Sequence, residues 1–279
     1  MIAAELVKQG RRPRAWVTLA VVAALPALLT LVIGTTRPAI PERFGDWGSV
    51  VTGTSGLAMP LIALSALQLF LLPLAVAIMA AEPVAGEASW GSLRYLLARP
   101  VSRSRVLAAK AAVAAGFSLA AVAAAAGSAL LTGVAAFGWR PLTVLDLQRT
   151  TPFHLAQTTF APGPATVLLG LATMLVALTM TSTFAVALLL STLTDSPFAA
   201  AAGGVGFGLV SRALDNVPGL QGLSPWLPLT DGGSTLWTGL FLPPADAGAL
   251  VHLALVQALY TLPVLAAATI RFARADVLA

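Results

Sequence analysis

Charged residues are scarce in this sequence, and cysteine is missing from it altogether. Of the 279 residues, 10% are charged and 58% are hydrophobic, whereas soluble domains carry about 25% charged residues. A soluble protein of this composition would expose apolar patches large enough to cause aggregation. The lack of cysteine excludes disulfides, thiolate metal sites and cysteine nucleophiles. The composition therefore predicts a membrane protein.

Sequence motifs for nucleotide binding and for hydrolysis are also missing. The chain has neither a G-x-x-x-x-G-K-[ST] phosphate loop nor a G-x-S-x-G nucleophile motif. The glycine-rich run at 203–208 lacks the lysine and lies within an apolar stretch. His154 and His252 lie far apart without companions at ligand spacing, so we expect no metal site. We predict that this chain is not an enzyme.

Six apolar segments are long enough to cross a bilayer, which takes about 20 residues in a helix. They lie at about 15–34, 57–81, 106–137, 165–191, 198–214 and 247–270. Pro60 and Pro73 fall inside the second segment, where neighbouring helices can satisfy the carbonyls that a proline leaves free. The sequence therefore predicts an all-α protein with six spans and a single membrane domain over residues 1–279.

Most of the 16 Lys and Arg residues fall on one side of such a six-span arrangement. That side holds Lys8, Arg11, Arg12, Arg14, Arg94, Arg99, Arg103, Arg105, Lys110, Arg271 and Arg274. Because basic loops stay in the cytoplasm, we expect both chain termini to be cytoplasmic. The same distribution accounts for the net charge of +5 without a nucleic-acid partner.

The charged segment between the second and third spans has helical periodicity. Its apolar residues are Trp90, Leu93, Leu96 and Leu97. This spacing predicts a short amphipathic helix over about 87–99, lying along the inner membrane surface. Gly91 in the middle of a helix would cost about 1 kcal/mol relative to Ala, which suggests close approach by another backbone.

The order of residues in this segment resembles the membrane subunits of type-2 ABC exporters, the ABC-2 permeases. In that family a cytoplasmic Glu is followed after three residues by Gly-[Ser/Thr]-Leu. A leucine-rich turn, a Pro-[Val/Ile]-Ser-Arg element and a lysine at the start of the third span come next. This chain has, in the same order, Glu87, Gly91, Ser92, Leu93, Leu96, Leu97, Pro100, Val101, Ser102, Arg103 and Lys110.

The resemblance implies the permease subunit of an exporter that is driven by a separate ABC ATPase. The 87–99 helix would be the coupling helix that docks on the ATPase. The implied coupling residues are Glu87, Trp90, Gly91, Ser92, Leu93 and Arg94. ATP and Mg would be used by the ATPase, and this chain would hold no cofactor itself. A second permease, identical or homologous, would complete the membrane part, surrounded by lipid. High usage of Ala, Gly and Arg is typical of a GC-rich bacterium, so the expected location is a bacterial cytoplasmic (inner) membrane.

Few polar residues inside the spans are candidates for function. Because spans two and five line the path in the resembling family, Gln68 is a candidate substrate contact. Ala200, Gly204 and Gly208 form a row of small residues that suits close helix packing, either within this chain or beside a second copy. The spans nearly lack ionisable groups, which argues against proton- or sodium-coupled transport. An apolar or amphipathic substrate moving outward is the corresponding expectation.

Two other functions are compatible with the residues alone. A secondary transporter or channel would work without an ATPase, and a membrane anchor or assembly protein would move no substrate. Likewise, a basic amphipathic segment between two spans can be a simple surface anchor.

Overall fold

The computed structural model describes residues 1–36, 55–91, 101–145, 157–215, 217–229, 240–241 and 247–274. These residues form nine α-helices: α1 Ile2–Gly10, α2 Pro13–Thr36, α3 Met59–Gln68, α4 Leu71–Ser89, α5 Arg103–Phe137, α6 Pro162–Thr179, α7 Thr181–Ser191, α8 Pro197–Asp215 and α9 Ala247–Arg274. Short 3-10 turns lie at Gly56–Ala58 and Gln221–Trp226.

Six helical segments are long and apolar enough to cross a membrane. They are α2, α4, α5, the α6–α7 pair, α8 and α9. The prediction of an all-α protein with six spans is therefore confirmed. The predicted third, fifth and sixth segments correspond to α5, α8 and α9, with ends that differ by at most four residues.

The second span differs most from its prediction at 57–81. The helix breaks at Leu69 and Phe70, and Phe70 has a non-helical φ of −146°. Pro73 explains the break, because a proline ring clashes with the carbonyl four residues earlier, here that of Leu69. The helix then continues to Ser89 instead of ending at Ala81.

The predicted fourth span is also divided, at Met180, between α6 and α7. Thr179 and Thr181 flank this position, and each hydroxyl donates to the carbonyl three residues earlier. Such local bonds compete with the regular helical pattern and often accompany bends.

An additional helix, α1, precedes the first span and was not predicted. Its polar residue Gln9 is buried, and Glu5 is partly buried against the bundle. Its apolar residues Ile2, Leu6 and Val7 are exposed. The helix therefore turns its polar side towards the protein.

A small antiparallel sheet lies in the polar stretch between α5 and α6. Strand β1 is Leu142–Leu145 and strand β2 is Gln157–Phe160, with Leu142 opposite Phe160. Leu142 and Val144 are buried against α3 and α6 residues, in a cluster that also holds Phe241. The sheet thus covers one end of the bundle.

The other end of the bundle is the one that matters for function, and we call it the basic face. It is where α2, α5 and α8 begin and where α4 and α9 end. A hydrogen bond of 3.4 Å from Arg103 to the carbonyl of Ala273 joins the start of α5 to the end of α9. Small side chains pack the bundle beneath this face, among them Ala77, Ala81 and Ala187.

Candidate functional site

The predicted coupling residues fall at the edge of the described chain. Glu87, Trp90 and Gly91 are described, whereas Ser92, Leu93 and Arg94 lie outside the described residues. The prediction of one helix over 87–99 needs correction at its start. Glu87 belongs to the last turn of α4, and the helix ends at Ser89.

Gly91 has a positive φ of +67°. This is the left-handed conformation that glycine adopts easily just beyond a helix end. Nothing lies within 4 Å of the position that a Cβ would take there. Glycine is therefore explained by the backbone turn at this site, and not by close approach in mid-helix. The preceding Trp90 is 82% exposed.

Glu87 is the centre of a buried group of charges. Its side chain is 2% exposed, and its Oε1 lies 2.6 Å from Nζ of Lys110, which is fully buried. Lys8 of α1 donates a second, short bond to the same oxygen. Lys110 also lies 3.1 Å from Oε1 of Glu5. These four residues, here called the Lys110 cluster, join α1, α4 and α5.

The position of Glu87 explains why it needs two cations. A carboxylate in the last turn of a helix faces the negative end of the helix dipole. Burial adds a desolvation cost that only well-placed partners offset. Lys110 supplies one partner from α5, and Lys8 supplies the other from the polar side of α1.

A second group of charges, the Glu82 cluster, lies one turn deeper along α4. Nη1 of Arg12 donates to Oε1 of Glu82 over 2.8 Å, and Nη1 of Arg14 lies 3.4 Å from Oε2. The two clusters explain why α4 continues beyond Ala81. The glutamates that suggested a surface segment are both paired with cations, so they fit into the helix.

The pattern that begins at Glu87 and ends at Lys110 is thus built around a physical contact between its two ends. A family model described as "ABC-2 family transporter protein" matches residues 1–196. The chain belongs to the ABC-2 transporter family. The matched part includes α1, both charge clusters and the first four spans. Among curated proteins, no match was found.

Sequence reasoning on this ABC-2 chain missed part of the site. The sequence indicates Lys110 only as a basic residue of the motif, and Lys8 only as a basic residue near a span. The signal was present in the N-terminal residues, since Glu5 and Lys8 are three residues apart and face the same side of a helix.

Gln68 lies at the break between α3 and α4, where three polar groups meet. Its Nε2 donates to Oγ1 of Thr179 over 3.2 Å, and its backbone carbonyl accepts from Nη2 of Arg212 over 2.8 Å. The side chain is buried. Its role as a substrate contact stays a prediction, and it would require the bond to Thr179 to open.

Arg212 places a positive charge inside the fifth span, beside a broken helix. Its bond to the Gln68 carbonyl supplies a donor for a group that the helix break leaves without its usual partner. Ionisable groups at such positions are uncommon and are often functional.

The row of small residues on α8 packs within this chain. A Cβ on Gly204 would lie 2.8 Å from Cβ of Ala187 and 3.3 Å from Cβ of Ala77. A Cβ on Gly208 would lie 2.7 Å from Leu229, and Ala200 is fully buried. Of the two alternatives left open by the sequence, packing within the chain has direct partners. A second copy near this row stays a prediction.

Proposed function

We propose that this chain is the permease subunit of an ATP-driven exporter and that a separate ABC ATPase binds its basic face. The observation that carries the proposal is that an exposed tryptophan follows a glutamate whose position is fixed by two lysines. Glu87 is held by Lys110 and Lys8, and three residues later Trp90 is 82% exposed on the same face. A large exposed aromatic next to a rigid support is a typical protein-binding feature.

The charge clusters give the segment after Glu87 a mechanical connection to the membrane helices. A push on residues 92–99 would reach α4 through the chain and α5 through the ion pair between Glu87 and Lys110. It would reach α1 through Lys8. Closure of the ATPase on ATP could therefore move three helices together, which is the function of a coupling element.

The proposed orientation follows from the charges. The basic face would be cytoplasmic, with both termini on that side of a bacterial inner membrane. Two permeases, identical or homologous, would enclose the path and pair with two ATPase subunits. ATP and Mg would be bound by those subunits. An apolar or amphipathic substrate moving outward stays the expectation.

The association with the ATPase can be tested with one exposed residue on each face. Trp90→Ala removes the exposed aromatic at the basic face, and Trp139→Ala removes an exposed tryptophan just beyond the other end of α5. Both side chains are exposed, so neither change should impair folding. We expect Trp90→Ala to reduce co-purification with the proposed ABC ATPase subunit, and to reduce ATP-dependent transport in vesicles. Trp139→Ala should alter neither.

Three results would contradict the proposal. Unchanged association and transport in Trp90→Ala would remove the basic face from the ATPase contact. Transport in sealed vesicles that contain this chain without any ATPase would instead favour a secondary transporter or a channel. An absence of flux with all partners present would favour an anchor or assembly role.

A further inference from the structure

Exposed apolar side chains surround Arg212 on the outside of the bundle. Leu209 lies three residues before Arg212 on α8, so the two side chains share one side of the helix, and Leu209 is exposed. Next to the carbonyl that Arg212 binds, Leu69 and Phe70 at the break between α3 and α4 are exposed as well. The bond of 2.8 Å from Arg212 to the Gln68 carbonyl brings these two regions together. Arg212, Leu209, Leu69 and Phe70 are here called the Arg212 surface.

The Arg212 surface lies deep in the membrane-spanning part of the bundle. Helix α8 begins at the basic face with Pro197, and at a rise of 1.5 Å per residue it reaches Arg212 about 22 Å from that face. The hydrocarbon core of a bilayer is about 30 Å thick. Ionisable side chains at such depths face protein or a water-filled cavity and not lipid chains. A partly exposed arginine at this depth is therefore suited to a hydrated path.

The helix break alone does not account for a charged residue at position 212. The Gln68 carbonyl needs a donor because the break removes its usual helical partner, but a neutral donor would serve as well. An arginine adds the cost of taking an ionised group out of water. Its guanidinium has five donors in a planar fork, so it can hold the carbonyl and bind an anionic group at the same time. The bond from Gln68 to Thr179 fixes the carbonyl and thereby orients the guanidinium.

We propose that Arg212 recognises an anionic group of the transported molecule, so that the substrate is an anionic amphiphile. The anionic group contacts the guanidinium, and the apolar part lies against Leu209, Leu69 and Phe70. A neutral apolar molecule would match the apolar residues only, and a small hydrophilic anion would match the charge only. This proposal rests on the proposed exporter function, and it narrows the expected substrate from an apolar or amphipathic molecule to an anionic one.

Photo-cross-linking to the purified full chain tests the substrate class without any ATPase. The chain is placed in nanodiscs of phosphatidylcholine, which has no net charge. It is then exposed to one of two diazirine probes of equal chain length, an alkyl sulfonate or the corresponding alcohol. The measured quantity is the ratio of sulfonate to alcohol labelling, because a folding defect would lower the labelling by both probes. The wild type should prefer the sulfonate, and the labelled peptides should contain the break between α3 and α4 or the end of α8.

Variants of Arg212 separate the charge from the fold. Arg212→Gln should lower the labelling ratio about tenfold, since a hydrogen bond to a charged group commonly contributes at least that factor. Arg212→Lys keeps the charge and should keep most of the preference. Arg271→Gln is the matched control, because Arg271 is an exposed arginine in the last turn of α9 at the basic face, and it should leave the ratio unchanged. Leu209→Ser changes an exposed apolar contact, so it should reduce labelling by both probes and leave their ratio nearly the same.

Three results would overturn the proposal. Equal labelling of the wild type by the two probes would exclude an anionic substrate class. Equal decreases of the ratio in Arg212→Gln and Arg271→Gln would indicate general attraction of anions and no site. A sulfonate preference that maps only to α2 or α9 would place anion binding elsewhere.

Failure of the exporter function would give a different pattern. If Trp90→Ala leaves association and transport unchanged while Arg212→Gln still removes the sulfonate preference, the ATPase contact at the basic face is wrong and the anion site at Arg212 stands. If Trp90→Ala has its expected effects while Arg212→Gln leaves the ratio unchanged, the exporter function stands and the anion site is wrong.

Discussion

Lys110 and Glu87 lie 2.6 Å apart, at the two ends of the segment that connects the second and third spans, and both side chains are almost completely buried. The ion pair therefore joins the last turn of α4 to the first turns of α5. Lys8 adds a connection from the N-terminal helix to the same carboxylate. This arrangement links the motif of the ABC-2 family to a specific physical contact.

Replacement of Lys110 should be far more damaging than replacement of Lys8. Lys110→Met leaves a buried carboxylate with one partner fewer, and loss of one member of a buried pair costs roughly 3–5 kcal/mol. Lys8 is 43% exposed, so water screens its contribution, and Lys8→Met should cost below about 1 kcal/mol. Thermal unfolding of the purified chain in detergent measures both.

The double variant Glu87→Gln with Lys110→Met provides the control for this experiment. It removes both charges, so it should be more stable than Lys110→Met alone. If Lys110→Met and Lys8→Met lower the unfolding temperature equally, the buried pair is not the main contact of the cluster.

Arg212 should stabilise the break between α3 and α4. Arg212→Met removes a donor from the Gln68 carbonyl, and a buried group left unsatisfied costs about 1–3 kcal/mol. Gln68→Leu keeps this backbone contact and loses only the side-chain bond to Thr179, so it should cost less. Thermal stability in detergent is again the measurement. A loss in Arg212→Met no larger than in Arg271→Met would contradict this role.

Two glycines of α8 offer a matched pair for helix packing. Gly204→Ala brings a methyl group to 2.8 Å from Ala187, whereas Gly206→Ala meets nothing within 4 Å. Overpacking typically costs about 1–3 kcal/mol, so Gly204→Ala should destabilise the chain and Gly206→Ala should not. Equal stability of the two variants would show that α8 does not pack against α7 and α4 as described.

The six spans could be predicted from the sequence because apolar runs of the right length have few alternatives in a bilayer. The residue at which the second span ends could not be predicted in this way. Glu82 and Glu87 indicated a surface segment, and only the positions of Arg12, Lys8 and Lys110 in space show that their charges are paired. Arg12 and Lys8 lie 70 and 79 residues away from these glutamates in the sequence, and such distances hide the partners.

The sequence predicted only part of the site, again because contacts between distant residues cannot be seen in it. The order of motif residues pointed to the ABC-2 family, which the family model confirms, since family patterns do not require a knowledge of contacts. The coupling role of the segment stays a prediction. The same pattern suggested that Gly91 lies inside a helix, because the periodicity of apolar residues gives no information on the sign of the φ angle. Its positive φ of +67° places it in a turn.

The central claim is that Trp90 lies on the cytoplasmic side and contacts the ATPase. The chain has no cysteine, so Trp90→Cys and Trp139→Cys each introduce a single labelling site without further changes. Each variant is co-expressed with the proposed ABC ATPase subunit, treated in cells with a membrane-impermeant maleimide, and then cross-linked in inverted vesicles through a thiol-reactive photoprobe. The account predicts that Trp90→Cys is protected from the external maleimide and cross-links to the ATPase, while Trp139→Cys is labelled from outside and does not cross-link to it. External labelling of Trp90→Cys, or cross-linking of it to lipid alone in the assembled complex, would contradict the account.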